Sequence, residues 1–430
     1  MSKTTIAIGA IACCFVFATE CTADLLIDIA VESVQGIEPK IKQSQLQLRL
    51  GNDYLKIVES DLELIYDFDA RRMLWINQTE NYYSDTSLYA AVGGREHELK
   101  NRQHLRESLK ETGSSAIPLV LSEHELSMGG RVKISKKQDT DNIDYIYDGK
   151  VLLSRSRKST QVAEPYLALF LRFFVHRYGG HPSIVNTAFF ASGIPDRISI
   201  THSSGVTKTL TMESVAEHEP VDYSLHGLSQ RYDVNPMLHK LAGKLTGDSR
   251  SARVANENAL LVTARHALSE RRFLESMLGY FEYSLVSGAQ SLPWSESERA
   301  AIAADPQVTQ LFAAIQNPKD QDDARAALAA LDALEGEPTE QYMLNLFAAN
   351  IHAKLGEIGK AKMLIGTALE ENPYIVSAWI DLGEFYFLDF DPTGAWFCWD
   401  IARRLHPDHH LLVKTSTLEQ RLAKKYPYFF

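Results

Sequence analysis

A chain of 430 residues is longer than one hydrophobic core ordinarily serves, so two domains are expected. Its 45% hydrophobic and 23% charged residues are the balance of a globular protein rather than a fibrous or disordered one. The net charge of −11 and pI near 5.7 count against nucleic acid as a partner, because a phosphate backbone needs a basic face.

Residues 1–23 read as a secretory signal. Lys3 supplies the positive start, Ile6 to Ala18 an apolar run too short to span a bilayer, and Cys21-Thr22-Ala23 small residues before a cut. A lipidated cysteine is the competing reading, but Glu20 makes a poor approach to Cys21 and the run before Cys13 is short. The mature chain is then periplasmic or secreted, with no membrane-spanning segment after signal removal. Only Cys398 remains in it, so cysteine number says nothing about the compartment.

From about residue 25 the apolar period becomes two. Leu46 to Leu50, Leu62 to Tyr66 and Arg72 to Ile76 alternate, and residues 67–71 between the last two predict a hairpin turn. Tyr145 to Tyr147 and Val151 to Leu153 form a second hairpin about Asp148-Gly149, and further strands are expected at 196–202 and 207–213. Helices are expected at 87–112 and at 164–178; the second, with Tyr166, Leu167, Phe170, Phe173 and Phe174, is apolar nearly all round and so predicted to be buried. This order over 24–225 predicts an α+β domain, a curved antiparallel sheet covered by helices. It resembles the LolA-like class of periplasmic lipoprotein carriers, which implies a cavity for a lipid or acyl chain.

The polar stretch 226–252, with Gly243 and Gly247, reads as a linker. Beyond it every element is helical: two helices in 254–287 meeting near Ser269-Glu270, one in 296–316, one in 322–334, and a basic amphipathic helix about Leu411, Thr415, Leu418 and Leu422 suited to capping an array.

Between these lies the sharpest pattern of the chain. Trp379, Leu382-Gly383, Tyr386, Ala395, Trp399, Ala402 and Pro407 stand at tetratricopeptide (TPR) spacing, and 34 residues earlier Ala361, Ile365, Ala368 and Pro373 repeat its second half. The segment resembles TPR proteins, and 253–425 is accordingly expected to be an all-α, TPR-like array of helical hairpins with a capping helix. Asn345, Ala348, Ala349 and His352 at the first unit's leading positions predict looser pairing there. The resemblance implies a peptide groove lined by Leu346, Asn350, Ile380, Glu384 and Phe387. These positions hold no Lys or Arg, so a clamp for a terminal carboxylate is not expected.

Phosphate loops, nucleophile elbows, H-E-x-x-H and C-x2-C patterns are missing from the sequence. His406, Asp408, His409 and His410 are close enough to share a metal, but they follow the repeat-ending position in a solvated turn, so neither a metal nor a cofactor is expected. The sequence points to a non-enzymatic envelope protein that binds another envelope protein or a peptide as adaptor or scaffold. The alternative is a carrier holding an apolar ligand in the sheet domain.

Overall fold

The alternation that begins at Asp24 produces β1 (Asp24–Gln35), whose Leu25, Ile27, Ile29 and Val31 are all buried. The computed structural model describes residues 23–35, 40–111, 128–129, 133–185, 193–202, 204–231, 234–245, 247–291, 294–316, 318–334 and 341–430. The expected signal lies almost wholly outside them. β1 pairs antiparallel with β2 (Lys40–Leu50), and a meander continues through β3 (Tyr54–Glu59), β4 (Leu62–Asp67), β5 (Arg72–Asn77) and β6 (Tyr82–Ser87). On its other side β1 pairs with β13 (Thr207–His218), followed by β12 (Arg197–Thr201), β9 (Lys150–Ser156), β8 (Asn142–Tyr147) and β7 (Ser135–Gln138). The short β10 (Ser159–Thr160) and β11 (Ile194–Pro195) pair separately. Asp148 and Gly149, both at positive φ, make the predicted two-residue turn, in the conformation that matches strand twist.

α1 (Leu88–Glu111) follows β6, and α2 (Glu164–Arg177) lies across the inner face of the sheet against β2 and β3. Phe170, Phe173, Phe174 and Val175 are fully enclosed there, facing Leu48, Leu50, Leu55 and Ile57. The expected domain class, a curved antiparallel sheet with helices and then an all-helical array, is what the chain adopts.

The stretch 226–252 is more than a connector. β14 (Ser229–Gln230) adds a parallel edge to β6, and α3 (Pro236–Ala242) packs on helices of the array. The apolar residues decide this. Tyr223, Leu225 and Leu228 cover Ile65, Leu74 and Ile76 on the outer face of the sheet, while Leu238 and Leu241 are completely buried. Asn235 caps α3 and donates its amide to the Tyr386 hydroxyl.

The array runs α4 (Ser249–Ser269), α5 (Phe273–Ser287), α6 (Glu296–Ala303), α7 (Pro306–Ile315), α8 (Gln321–Asp332), α9 (Gln341–Lys354), α10 (Ile358–Glu371), α11 (Val376–Leu388), α12 (Pro392–Leu405) and α13 (Leu412–Lys425), then a single turn at Pro427–Phe429. The helix expected over 296–316 is two helices. Asp305 accepts hydrogen bonds from the backbone of Gln307 and Val308, and Pro306 starts the second helix where its missing N–H costs nothing. α9 and α10, then α11 and α12, are consecutive hairpins closed alike. Glu357 N–H reaches His352 O and Asp391 N–H reaches Tyr386 O, each at 2.9 Å and one 34-residue period apart. Trp379, Gly383, Tyr386, Ala395, Trp399 and Ala402 all lie in the core of the second hairpin.

Candidate binding surface where the sheet meets the helical array

The two halves meet through α1, α12 and α13, and the contact depends on a glycine pair. A Cβ on Gly93 would stand 2.4 Å from the Trp396 ring and one on Gly94 2.7 Å from Pro392. Glycine inside a helix costs about 1 kcal/mol relative to alanine, and here the close approach of α12 explains it. Beside this contact Arg72 bonds Asp85 at 2.6 Å and Asp400 at 2.5 Å, while Arg403 bridges Asp400 to Glu419, which also accepts from the Trp396 indole. Burial favours a neutral Arg72, but Asp400 and Asp85 outweigh it and raise the pKa of the guanidinium. A pocket of about 230 Å³ opens here, with Ser87, Thr393, Phe397 and Arg404 on its walls.

The inner face of the sheet is occupied by the chain itself. Phe429 from the last turn is fully buried, its carbonyl bonded to His176 Nε2 at 2.8 Å and its ring under Arg95. Phe430 packs on Tyr89. Burial holds the His176 pKa down to about 3, so the imidazole is neutral and donates to the carbonyl. A small cleft between the sheet and the 180–184 turn, lined by Leu153, Ile184 and Ile200, measures about 10 Å³, room for one water at most.

The five residues of the expected groove do not share one open face. Leu346 and Ile380 are buried, Asn350 is exposed and bonds back to Leu346 O, and Glu384 is half-buried near Lys414. Between them stands Asp381, which sequence reasoning passed over. Burial and then the neighbouring Glu384 carboxylate raise its pKa to about 7. Phe387 lies at the rim, its ring against Trp396, Trp399 and His97 of α1.

That rim carries the chemistry the groove lacks. Lys100 of α1 and Arg421 and Lys425 of α13 surround the buried Glu96 at 3.6, 2.7 and 2.8 Å, and each cation remains about half exposed. Glu96 feels burial first, which would raise its pKa, but the Lys425 hydrogen bond and the surrounding cations prevail and lower it. Next to them Leu388 and Phe390 are 55% and 51% exposed. Phe390 has φ of +60° at the position where the preceding hairpin has Gly356 at +79°. A left-handed conformation costs a residue with a Cβ about 1–2 kcal/mol, and Arg271 takes the same conformation, φ +62°, at the equivalent turn between α4 and α5. Sequence reading missed this rim because its cations come from helices far apart in the chain. Two signals were nonetheless present: the interior Gly93-Gly94 pair, and a phenylalanine where the repeat calls for glycine.

The histidines of the 406–410 turn are used in packing. His406 Nε2 bonds Ser287 O at 3.0 Å, and His409 is buried against Gly288 with its pKa lowered to about 4, by burial first. Cys398 is a fully buried thiol whose pKa burial raises, so it serves as a core residue. Among the described residues no group of three or more metal-ligating side chains converges, and no helix is long and apolar enough to cross a membrane.

No protein-family model matches the chain, and no curated protein matches it. A solved structure of a LolA superfamily protein from Nitrosomonas europaea aligns with 47% of this chain and 88% of its own at 8% identity, with a TM-score of 0.21. A likeness of that degree carries no argument about function.

Proposed function

We propose that the protein is an exported, non-enzymatic adaptor of the cell envelope, in which the sheet domain and a TPR-like array form one frame for holding another protein. The observation that carries this reading is the distribution of occupied and open surface. The inner face of the sheet is filled by α2 and Phe429, whereas the rim at the α11–α12 turn leaves Leu388 and Phe390 in solvent on a rigid hairpin. Exposed apolar side chains on a rigid element are what a protein partner covers. Crosslinking in intact cells followed by affinity capture tests the reading, and failure of the full-length protein to capture any envelope protein would overturn it. Sequencing of the mature N-terminus tests export: a start near Asp24 is expected, and an intact Met1 would exclude it.

A second reading, as carrier of an apolar ligand, has its own observation. Phe429 and Phe430 enter the sheet domain from the far end of the chain, so its inner face accepts apolar groups brought from outside. Phe429→Ala vacates that place. Saturable uptake of a fluorescent fatty acid by the variant or the parent would favour the carrier; none by either would leave the adaptor.

A further inference from the structure

We propose that the rim formed by α1, the α11–α12 turn and α13 is a docking site for an acidic peptide segment bearing an aromatic residue. The inference rests on the adaptor reading and names the ligand class and the place.

Three observations converge. First, the charge there runs against the rest of the molecule. In a chain of net charge −11, Lys100, Arg421 and Lys425 gather about the single carboxylate of Glu96. Glu96 is 3% exposed, so the negative charge lies beneath the surface while the cations extend from it. Of the carboxylates nearby, Glu384 pairs with Lys414, Asp389 with Lys362 and Glu98 with Arg102, while Asp391 caps α12 through the Gly394 backbone and Glu107 stands beside His104. The surplus is therefore positive and accessible to an anionic ligand.

Second, two of these cations, Lys100 and Arg421, line a concavity. A space of about 300 Å³ opens between Lys100, His104 and Arg421, with Phe387 and His97 as its aromatic wall and Glu96 and Asn101 also lining it. Its volume accommodates one large side chain. His97 is neutral at physiological pH, its pKa lowered by burial first and then by Lys100, and its ring meets Phe387 and Phe390 edge-on at 4.7 and 4.2 Å between centroids. An incoming aromatic ring meets an aromatic wall there while the flanking carboxylates meet the cations.

Third, Phe390 packs on His97 of that wall in a backbone conformation that favours glycine, as the previous hairpin shows at Gly356. The preceding hairpin closes with glycine at that position, so the turn itself does not call for an aromatic, and the exposed half of the ring is open to a ligand. Together these features favour a peptide over an anionic membrane. A lipid surface is met by cations spread over a face, while Lys100 and Arg421 flank one concavity with an aromatic wall.

The test is fluorescence anisotropy of the full-length protein with a short labelled peptide in which acidic pairs flank one tryptophan. The controls are the same peptide with lysines for the acids, the same with alanine for tryptophan, and vesicles of phosphatidylcholine with phosphatidylglycerol. The acidic aromatic peptide is expected to bind saturably, and less tightly as salt is raised through the physiological range, where screening acts over about 8–10 Å. Lys100→Gln with Arg421→Gln is expected to weaken binding about tenfold or more, as is Phe390→Gly. Phe390→Gly is the decisive variant, since the relief of the left-handed conformation offsets the loss of the His97 contact and the variant is expected to melt within a few degrees of the parent. Equal binding of the lysine peptide, preference for vesicles, or unchanged affinity in both variants overturns the site. Envelope crosslinking reads the adaptor function separately: capture that persists in both variants overturns this site and leaves the adaptor standing, whereas failure of the parent to capture any partner removes the adaptor reading itself.

Discussion

A hydrogen atom is all that Gly383 can carry. A Cβ there would lie 2.4 Å from Trp399 Nε1 and 3.0 Å from Ala395 O, and the Trp399 indole is fixed by its hydrogen bond to Ile380 O at 3.1 Å. Gly383→Ala therefore forces α11 and α12 apart and is expected to cost about 1–3 kcal/mol, read as a lower urea midpoint with unchanged slope. Gly359 in the first turn of α10 has nothing within 4 Å of the place a Cβ would take, so Gly359→Ala is expected to raise stability by a few tenths to about 1 kcal/mol. Gly383 and Ala395 were legible because the repeat spacing singles them out before any partner is known. His176 was not. Its importance comes from a carbonyl 253 positions away, which no local pattern reveals. Because burial lowers its pKa to about 3, the unfolded state binds its proton at near pH 6.5 and the native state does not. Its contribution is thus intact above pH 6.5 and lost as pH falls below it, by about 2 kcal/mol at pH 5. His176→Gln keeps a donor for Phe429 O without a titrating group. Denaturation of the two proteins at pH 7.5 and 5 is expected to show a smaller loss on acidification in the variant, and equal losses would refute the assignment.

At the scale of elements, α1 is the piece whose role depends most on what lies beside it. A helix is expected over 87–112, and most of its length beyond Lys100 is exposed or half-exposed. Its first turns nevertheless form the contact with the array, where Gly93 admits the Trp396 ring, Gly94 admits Pro392, and Glu96 gathers Arg421, Lys425 and Lys100. Periodicity reports which residues of a helix are apolar, but a glycine face and a buried carboxylate are invisible to it. The same limit explains 226–252, where polar composition suggested a linker although Leu238 and Leu241 are fully buried. Helix starts carry a local signal: Asp391 caps α12 and Pro392 opens it. Where two local signals competed, as at Asp305-Pro306 inside an apolar period, the cap and the proline prevailed over the period. Gly93→Leu places a large side chain where the indole of Trp396 sits. The expected result is a loss of at least ~3 kcal/mol, more than for Gly383→Ala, because α12 would have to withdraw from α1 and β6 together. A midpoint within about 0.5 kcal/mol of the parent, the range of ordinary surface changes, would mean that the α1–α12 contact does not form.

For the whole molecule, the question is whether sheet and array are separate folding units. Sequence composition suggests that they are, with a break near residue 225. The packing argues for one unit. The array supplies Trp396, Tyr426 and Phe429 to the contact with the sheet domain, at 0%, 2% and 0% exposure. The ion pair of Arg72 with Asp400 crosses the same boundary. Each large side chain buried is worth about 1.5–3 kcal/mol, so these three alone approach the roughly 5–15 kcal/mol that stabilises a typical domain. A fragment ending at residue 225 also loses the cover of His176, whose neutral burial depends on the last turn of the chain. The full-length protein is accordingly expected to unfold in one transition, followed alike by far-ultraviolet circular dichroism and by tryptophan fluorescence. The 24–225 fragment is expected to melt well below it, with a broad transition and with binding of a hydrophobic dye to the uncovered inner face. A fragment that melts sharply at the temperature of the intact chain would show that the boundary carries no folding energy, and the rigid frame on which the adaptor reading depends would be lost with it.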